Sequence, residues 1–407
     1  MPAGDRGPGG PASSRRRLGF FGAFHPMTDR AGAASTGMVL LIARSPNVER
    51  LVVFGPEGAA APPGLGLATM EVRGAWSVDD PASLLRCLRA MVRASEGLDG
   101  FLFSIYPTFF GRRPAANGIG MLLPVLLRRL TGKPVVVFMH NFVESQDIAA
   151  LGYDVPPSTV KAALWLERRL GRATTLVAGL ASAAATVESE LGVPVAYVPM
   201  RFVESVPGLL TAPPAPARAV DPGNPRILFF GTWGPQKDLA GALEALRPLA
   251  ERPEGVHVTI AGTANPNFPE YAAGLERLRR ELPTASFRFL GHVAEPDVPA
   301  LFQSHDVLVL PYRTTGGYSG VMNVGGAYGI RIVAYDQPQL RECARLLDLA
   351  AEFVPAGDAE ALRAALLRGS TNSPAAPRPP PLEEAKDGIE RLLALFDPAP
   401  SPVSPTA

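Results

Sequence analysis

The sequence predicts two doubly wound α/β domains in tandem, and three observations carry that prediction. Short apolar runs alternate with stretches of helical periodicity along most of the chain. The runs lead into turns that contain glycine, as strands do before a crossover helix. Proline-rich, aperiodic stretches at 205–225 and 370–381 divide the 407 residues into two such bodies, about 18–204 and 226–369. Hydrophobic residues make up 47% and charged residues 19%, enough apolar surface for two cores.

Residues 1–17, rich in Gly, Pro, Ser and Arg, read as a disordered tail. In the first body, strands are expected at 18–22, 52–54, 100–103, 135–139 and 175–177, with helices at 84–92 and 119–130. In the second, strands are expected at 226–230, 257–261, 287–290, 307–310 and 332–334, with helices at 239–250, 271–282, 298–304 and 322–328. Apolar strands joined by helices imply parallel sheets buried on both faces. Residues 205–225 read as an interdomain linker. Beyond the second proline-rich stretch, 383–395 is amphipathic, and a lone helix that short must dock to persist. Residues 398–407 have no periodicity.

Composition excludes several roles. Lys+Arg is 39 and Asp+Glu 38, so no net charge draws the chain to nucleic acid. Over 18–204 the balance is 17 to 15, which gives no sign of a polybasic patch, so membrane contact is at most peripheral. No apolar run approaches the ~18 residues of a membrane span, and the N-terminus lacks a secretory apolar region. Two cysteines, Cys87 and Cys343, make neither a disulfide framework nor a metal site. A cytoplasmic protein is the expectation.

In open α/β sheets, ligands lie beyond the carboxyl ends of the strands, so the loops after strands hold the candidate chemistry. Gly231-Thr232-Trp-Gly-Pro-Gln-Lys237-Asp238 is a glycine turn entering a helix, suited to an anion, with Lys237 adding a charge. It is equally the form of a capping loop with a solvated lysine. The loop from Pro311 to Val321 carries Arg313, Tyr318, Ser319 and Gly320; Ser319 is a natural N-cap and Gly320 lets a phosphate approach the backbone. Gly291-His292-Val293 could read a nucleobase through its backbone, although a lone histidine is often a surface residue. In the first body, His140 and Asn141 end a strand that points into the predicted cleft. Gly22, His25, the 32–37 glycine stretch and the Tyr106 loop could line the same cleft as an acceptor pocket. Walker A, a first-strand Gly-x-Gly-x-x-Gly, His-Glu-x-x-His, Cys-x-x-Cys and Gly-x-Ser-x-Gly are all missing, so dehydrogenase and α/β-hydrolase readings lose ground.

Together these loops resemble the two-domain GT-B glycosyltransferases, specifically the large retaining group called family 4. The likeness is best over about 226–362. Phe230-Gly-Thr-Trp-Gly-Pro-Gln-Lys-Asp238 looks like the family's Gly-Arg-x-x-x-x-Lys-Gly diphosphate loop, and Phe289-Leu-Gly-His-Val293 like its base-binding turn. Tyr328-Gly-Ile-Arg-Ile-Val-Ala334 and Val354-Pro-Ala-Gly-Asp358 look like two later landmarks in the same order. The helix near 383–395 would be the one that crosses back to the first domain. The family's paired glutamates should fall at 316 and 324, where this sequence has Gly316 and Val324, and its loop arginine is Thr232. A Ser319-Gly320-Val321 turn remains, as in some members of that group.

The resemblance implies a hexosyltransferase-like enzyme that moves a sugar from a nucleoside diphosphate sugar to an acceptor with retention. No further cofactor is implied. The missing Asp-x-Asp motif fits chemistry without a metal. His140, Lys237 and Arg313 are the expected catalytic groups. The donor would be bound by Gly231, Thr232, Lys237, His292, Val293, Tyr318, Ser319, Gly320 and Val321, and the acceptor by Gly22, His25, Tyr106 and Asn141. Two other readings stay open: a non-catalytic nucleotide-sugar-binding subunit, and a sugar-nucleotide epimerase or phosphorylase on the same fold. Base, sugar, acceptor and oligomeric state are not legible in the sequence.

Overall fold

The computed structural model describes residues 15–27, 30–62, 67–199, 224–252, 255–368 and 382–397. Residues 1–14 of the expected tail, all but the last two residues of the expected linker, the 370–381 stretch and 398–407 lie outside these.

The first domain runs β1 (Arg16–Gly22), α1 (Arg30–Arg44), β2 (Val48–Pro56), β3 (Met70–Trp76), α2 (Pro81–Ala94), β4 (Gly100–Ile105), α3 (Pro114–Thr131), β5 (Val135–Met139), α4 (Pro157–Ala173), β6 (Thr175–Ala178), α5 (Ala181–Leu191) and β7 (Val195–Tyr197). Its seven strands are all parallel, in the order β3-β2-β1-β4-β5-β6-β7. The central strands are apolar on both faces because helices cover both. Every residue of β5, Val-Val-Val-Phe-Met, is buried. β1 begins at Arg16, inside the expected tail, because both arginines are held: Arg16 by Asp397 at 2.6 Å and Arg17 by Asp99 at 3.0 Å. Residues 32–37 are not a cleft loop. They form part of α1, whose Met38, Val39 and Ile42 are buried against β1 and β2.

The second domain runs β8 (Arg226–Phe230), α6 (Leu239–Ala250), β9 (His257–Ala261), α7 (Pro269–Glu281), β10 (Phe287–Gly291), α8 (Val298–Gln303), β11 (Val307–Leu310), α9 (Gly320–Ala327), β12 (Arg331–Tyr335), α10 (Pro338–Leu346), β13 (Ala351–Val354) and α11 (Ala359–Leu367). Its six parallel strands follow the same order, β10-β9-β8-β11-β12-β13. The sequence therefore reverses direction between β1 and β4 in one sheet and between β8 and β11 in the other. Each reversal opens a crevice at the carboxyl ends of those strands.

The last helix, α12 (Leu382–Ala394), returns to the first domain. Ile389, Leu392, Leu393 and Phe396 join the core formed by α1, β1 and β2. Burying each such side chain is worth about 1.5–3 kcal/mol, ample to dock so short a helix. Glu390 adds hydrogen bonds from Ser45 and Asn47, both at 2.7 Å.

The domains also touch across the cleft. The Tyr153 and Phe268 rings lie 4.9 Å apart. The carboxylate of Glu342, on α10, accepts the backbone N–H of Ala181 at 2.6 Å and the hydroxyl of Ser182, capping α5 from the opposite domain. Leu180, just before α5, is buried in the second domain's core.

Candidate functional site

At the β8/β11 crevice the two loops singled out in the sequence meet. Gly231 follows β8 with φ +138°, a conformation that favours glycine. A Cβ there would lie 3.0 Å from the Lys237 Nζ and 3.7 Å from Val321, so loop, ammonium and helix start converge on this residue. Lys237 is buried, its Nζ 5.6 Å from the Trp233 ring centre and 5.0 Å from that of Tyr312. These two π faces steady a charge drawn out of water. Asp238 holds the left-handed conformation (φ 34°) at the position where the resembling motif has glycine. Ser319 caps α9, its Oγ accepting the Met322 N–H at 3.3 Å. The Gly320 and Val321 N–H groups precede any intrahelical acceptor and stand at the positive end of the helix.

Across the cleft stands His140, just after β5. Its Nε2 is 2.8 Å from the Ser104 Oγ, which is 2.8 Å from the Ser35 Oγ of α1. Both serines are fully buried, so this chain fixes the ring and leaves Nδ1 for a ligand. Burial pushes the imidazole down to about 4, so it is neutral at physiological pH. The second domain's loop reaches this point: a Cβ on Gly317 would lie 2.9 Å from the His140 carbonyl oxygen and 3.9 Å from Asn141. Tyr318 packs against the cores of both domains.

His140, Asn141, Gly231, Lys237, Tyr318, Ser319, Gly320 and Val321 thus gather at one cleft. The other expected residues divide. Arg313 is held by Asp238 at 2.8 Å, and this pairing raises its pKa further. It braces the Lys237 loop, whose Gln236 carbonyl also accepts the Arg313 N–H at 2.8 Å. Thr232 is exposed. His292 is exposed at the end of β10, while Val293 packs on the cluster that includes Val321. Gly22 ends β1, where a Cβ would come within 3.0 Å of the Ser104 carbonyl, so strand packing accounts for it. His25 follows β1; its N–H donates to Thr36 Oγ1 at 3.1 Å and its Nδ1 is buried without a partner among the described residues. Tyr106 packs edge-on to Phe109 at 5.4 Å, on the wall of the first core.

Three features escaped the sequence reading. Gln146 fills the volume beside Gly316: a Cβ on Gly316 would sit 2.9 Å from its Cδ. The Ser35–Ser104 support of His140 joins residues far apart in the chain. Glu167, on α4, is 1% exposed and accepts the Val143 N–H with both oxygens, at 3.1 and 3.3 Å. Burial first, then the neighbouring Glu144 carboxyl, raise its pKa well above the usual carboxylate range, behind the His140 loop. No helix among the described residues is long and apolar enough to cross a membrane, and among them no three His, Cys, Asp or Glu gather as a metal site.

Residues 224–372 match the family model of group 1 glycosyl transferases. No curated protein matches the chain in sequence. Solved structures resemble it over nearly its whole length at low identity. HepE of Anabaena, in complex with UDP and glucose, is 13% identical with a TM-score of 0.61, covering 93% of this chain and 98% of that one. Sucrose-phosphate synthase from Thermosynechococcus elongatus is 14% identical with a TM-score of 0.62, covering 94% and 96%. The catalytic domain of starch synthase IV from Arabidopsis thaliana, bound to ADP and acarbose, is 10% identical with a TM-score of 0.62, covering 94% and 99%. The chain has the GT-B fold. The β8/β11 crevice and the His140 loop are then the two walls of a GT-B cleft, and the group 1 match falls on the wall that carries Lys237.

Proposed function

We propose that this protein is a glycosyltransferase that moves a hexosyl group from a nucleoside diphosphate sugar to an acceptor, with retention at the anomeric carbon and without a metal ion. The observation that carries the reading is the meeting of Gly231, Lys237 and the α9 N-terminus at one crevice, opposite a neutral His140. The complex of HepE with UDP and glucose supports the donor class.

The leaving diphosphate gains charge as the glycosidic bond to it breaks. Lys237 and the Gly320 and Val321 N–H groups meet that charge without rearranging, and such a preorganised donor is typically worth about 10²–10³ in rate. The anomeric carbon gains positive charge in the same step. A neutral His140 can hydrogen-bond the sugar or acceptor through Nδ1 without opposing that charge. Gln146 occupies the space beside Gly316 and takes over contacts to the donor sugar from the glutamate that the resembling family carries there. Val324 is 8% exposed within an apolar cluster, so a carboxylate there would bury a charge, and the ribose is held without one. His292 and Val293 are assigned to the base. Both cysteines are buried and neither is in a disulfide, which suits a reducing, cytoplasmic setting.

The test is incubation with UDP-, GDP- and ADP-sugars, following the sugar by proton NMR. Slow donor hydrolysis or transfer with the anomeric configuration kept supports the reading. Inversion overturns retention. Binding of donor with no turnover in any acceptor screen would favour a nucleotide-sugar-binding subunit, which the missing glutamates at 316 and 324 also suggest. Turnover abolished by chelator and restored by a divalent cation would overturn metal independence.

A further inference from the structure

The charge balance of the first domain hides a strong asymmetry. The helices α2, α3 and α4 pack side by side over one face of the first sheet, all feeding the same core. In α2 the charged residues are Arg86, Arg89 and Arg93, with no acid. In α3 they are Arg128 and Arg129, again with no acid. In α4 they are Lys161, Arg168, Arg169 and Arg172, and the only acid, Glu167, is buried. Arg86 reaches Asp80 at 3.4 Å; among the described residues the other eight meet no carboxylate in an ion pair. Cations in a last turn are explained by the helix dipole, but Arg86, Arg89, Lys161, Arg168 and Arg169 lie further in. Each helix also exposes one large apolar side chain: Leu85 at 42%, Leu130 at 62% and Trp165 at 52%. Arg169 lies over the Trp165 ring at 5.0 Å. The layer ends at α5, whose charged residues, Glu188 and Glu190, are acidic.

We infer that the α2–α3–α4 face docks on an anionic lipid surface. Basic side chains meet the headgroups while Leu85, Leu130 and Trp165 enter the interfacial zone. A nucleic acid or acidic protein would answer the charge but would leave three separate apolar side chains without a role. The inference does not depend on the donor chemistry, because none of these residues lines the cleft.

The experiment is cosedimentation of the full chain with vesicles of phosphatidylcholine alone and of phosphatidylcholine mixed with phosphatidylglycerol, with tryptophan emission recorded. Trp76 and Trp233 are buried, so a blue shift on binding reports Trp165. The protein should sediment with the anionic vesicles only, with a blue shift and with release at high salt. Each basic residue near such a surface contributes about fivefold in binding, so the triple variant Arg89→Glu, Arg129→Glu, Arg169→Glu should lose roughly 10²-fold or more. Trp165→Phe should still sediment but lose the shift. Unchanged melting and nucleoside diphosphate binding in the triple variant would show that fold and cleft survive. Sedimentation equal with both vesicle types, none with either, or none lost in the triple variant overturns the inference. So does retention on heparin without vesicle binding.

Discussion

Both sheets share one strand order, and both open a crevice where that order reverses, yet the groups on the two walls differ in kind. The second domain presents a fixed positive wall: a buried lysine between two aromatic rings and the first N–H groups of α9. The first presents His140, neutral at physiological pH and fixed by two buried serines, with Glu167, its pKa raised by burial and by Glu144, enclosed behind it. The outer helices differ as well. In the second domain α6, α7, α10 and α11 each mix acids with bases, as in the Glu244–Arg247 and Glu276–Arg279 pairs, whereas α2 to α4 expose bases alone. A common scaffold thus gives one wall with a buried lysine and helix N–H groups and another with a neutral histidine.

The comparison breaks first at Lys237. Lys237→Met keeps the packing and removes the charge; turnover should fall by about 10²–10³ and nucleoside diphosphate affinity with it, read by steady-state kinetics and calorimetry. The corresponding change on the neutral wall, His140→Phe, should lower turnover and leave diphosphate affinity nearly unchanged. Equal losses of affinity in both variants would erase the distinction. Next is the contact between walls. Gly317→Val places a side chain against the His140 carbonyl and should hold the domains apart. A misplacement of that size costs about 10² in kcat, with donor binding to the second domain retained.

Smaller effects appear in the pH dependence of stability. The unfolded His140 takes a proton near 6.5, the folded one near 4. Between these values the unfolded state binds more protons, so stability is whole above about pH 6.5 and falls as pH drops toward 4. The loss should be on the order of 3 kcal/mol and absent in His140→Gln, by denaturant melts across that range. Glu167 acts in the opposite sense: its proton is retained on folding, so its contribution is present below the ordinary carboxyl pKa of 4.5 and is lost as pH rises through its raised value. Glu167→Gln should flatten that decline. The smallest effect is expected at Glu342, which caps α5 from across the cleft. Glu342→Ala should cost about 1 kcal/mol of domain contact, seen as a raised KM with little change in melting temperature.

What the sequence revealed follows from how local each feature is. The strands of both switch points were legible because a buried parallel strand is an unbroken apolar run, as in 135–139 and 307–310. β3 gives no such signal, because it is an edge strand whose Met70-Glu-Val-Arg-Gly-Ala-Trp76 is mostly half-buried and carries no apolar run. α1 carries little helical signal in its first half because glycines, alanine, serine and threonine fill it, although small residues there let Ser35 reach Ser104. The Lys237 and Ser319 loops were legible because glycine, cap and charge lie within a few residues of one another. The Arg313–Asp238 ion pair was not legible, because nothing in the two separate loops reveals that they meet. Gln146, Glu167 and the basic face were not legible at all: each exists only once separate segments are folded side by side.

The most direct measurement is a calorimetric titration of the full chain with matched nucleoside mono- and diphosphates at two salt concentrations. If the Gly231–Lys237 loop and the Ser319–Val321 turn form a diphosphate site, one nucleoside diphosphate should bind at least tenfold more tightly than its monophosphate. The preference should shrink only modestly with salt, because Lys237 is buried. Equal affinity for the mono- and diphosphate, or no binding of any nucleoside diphosphate, would contradict the account.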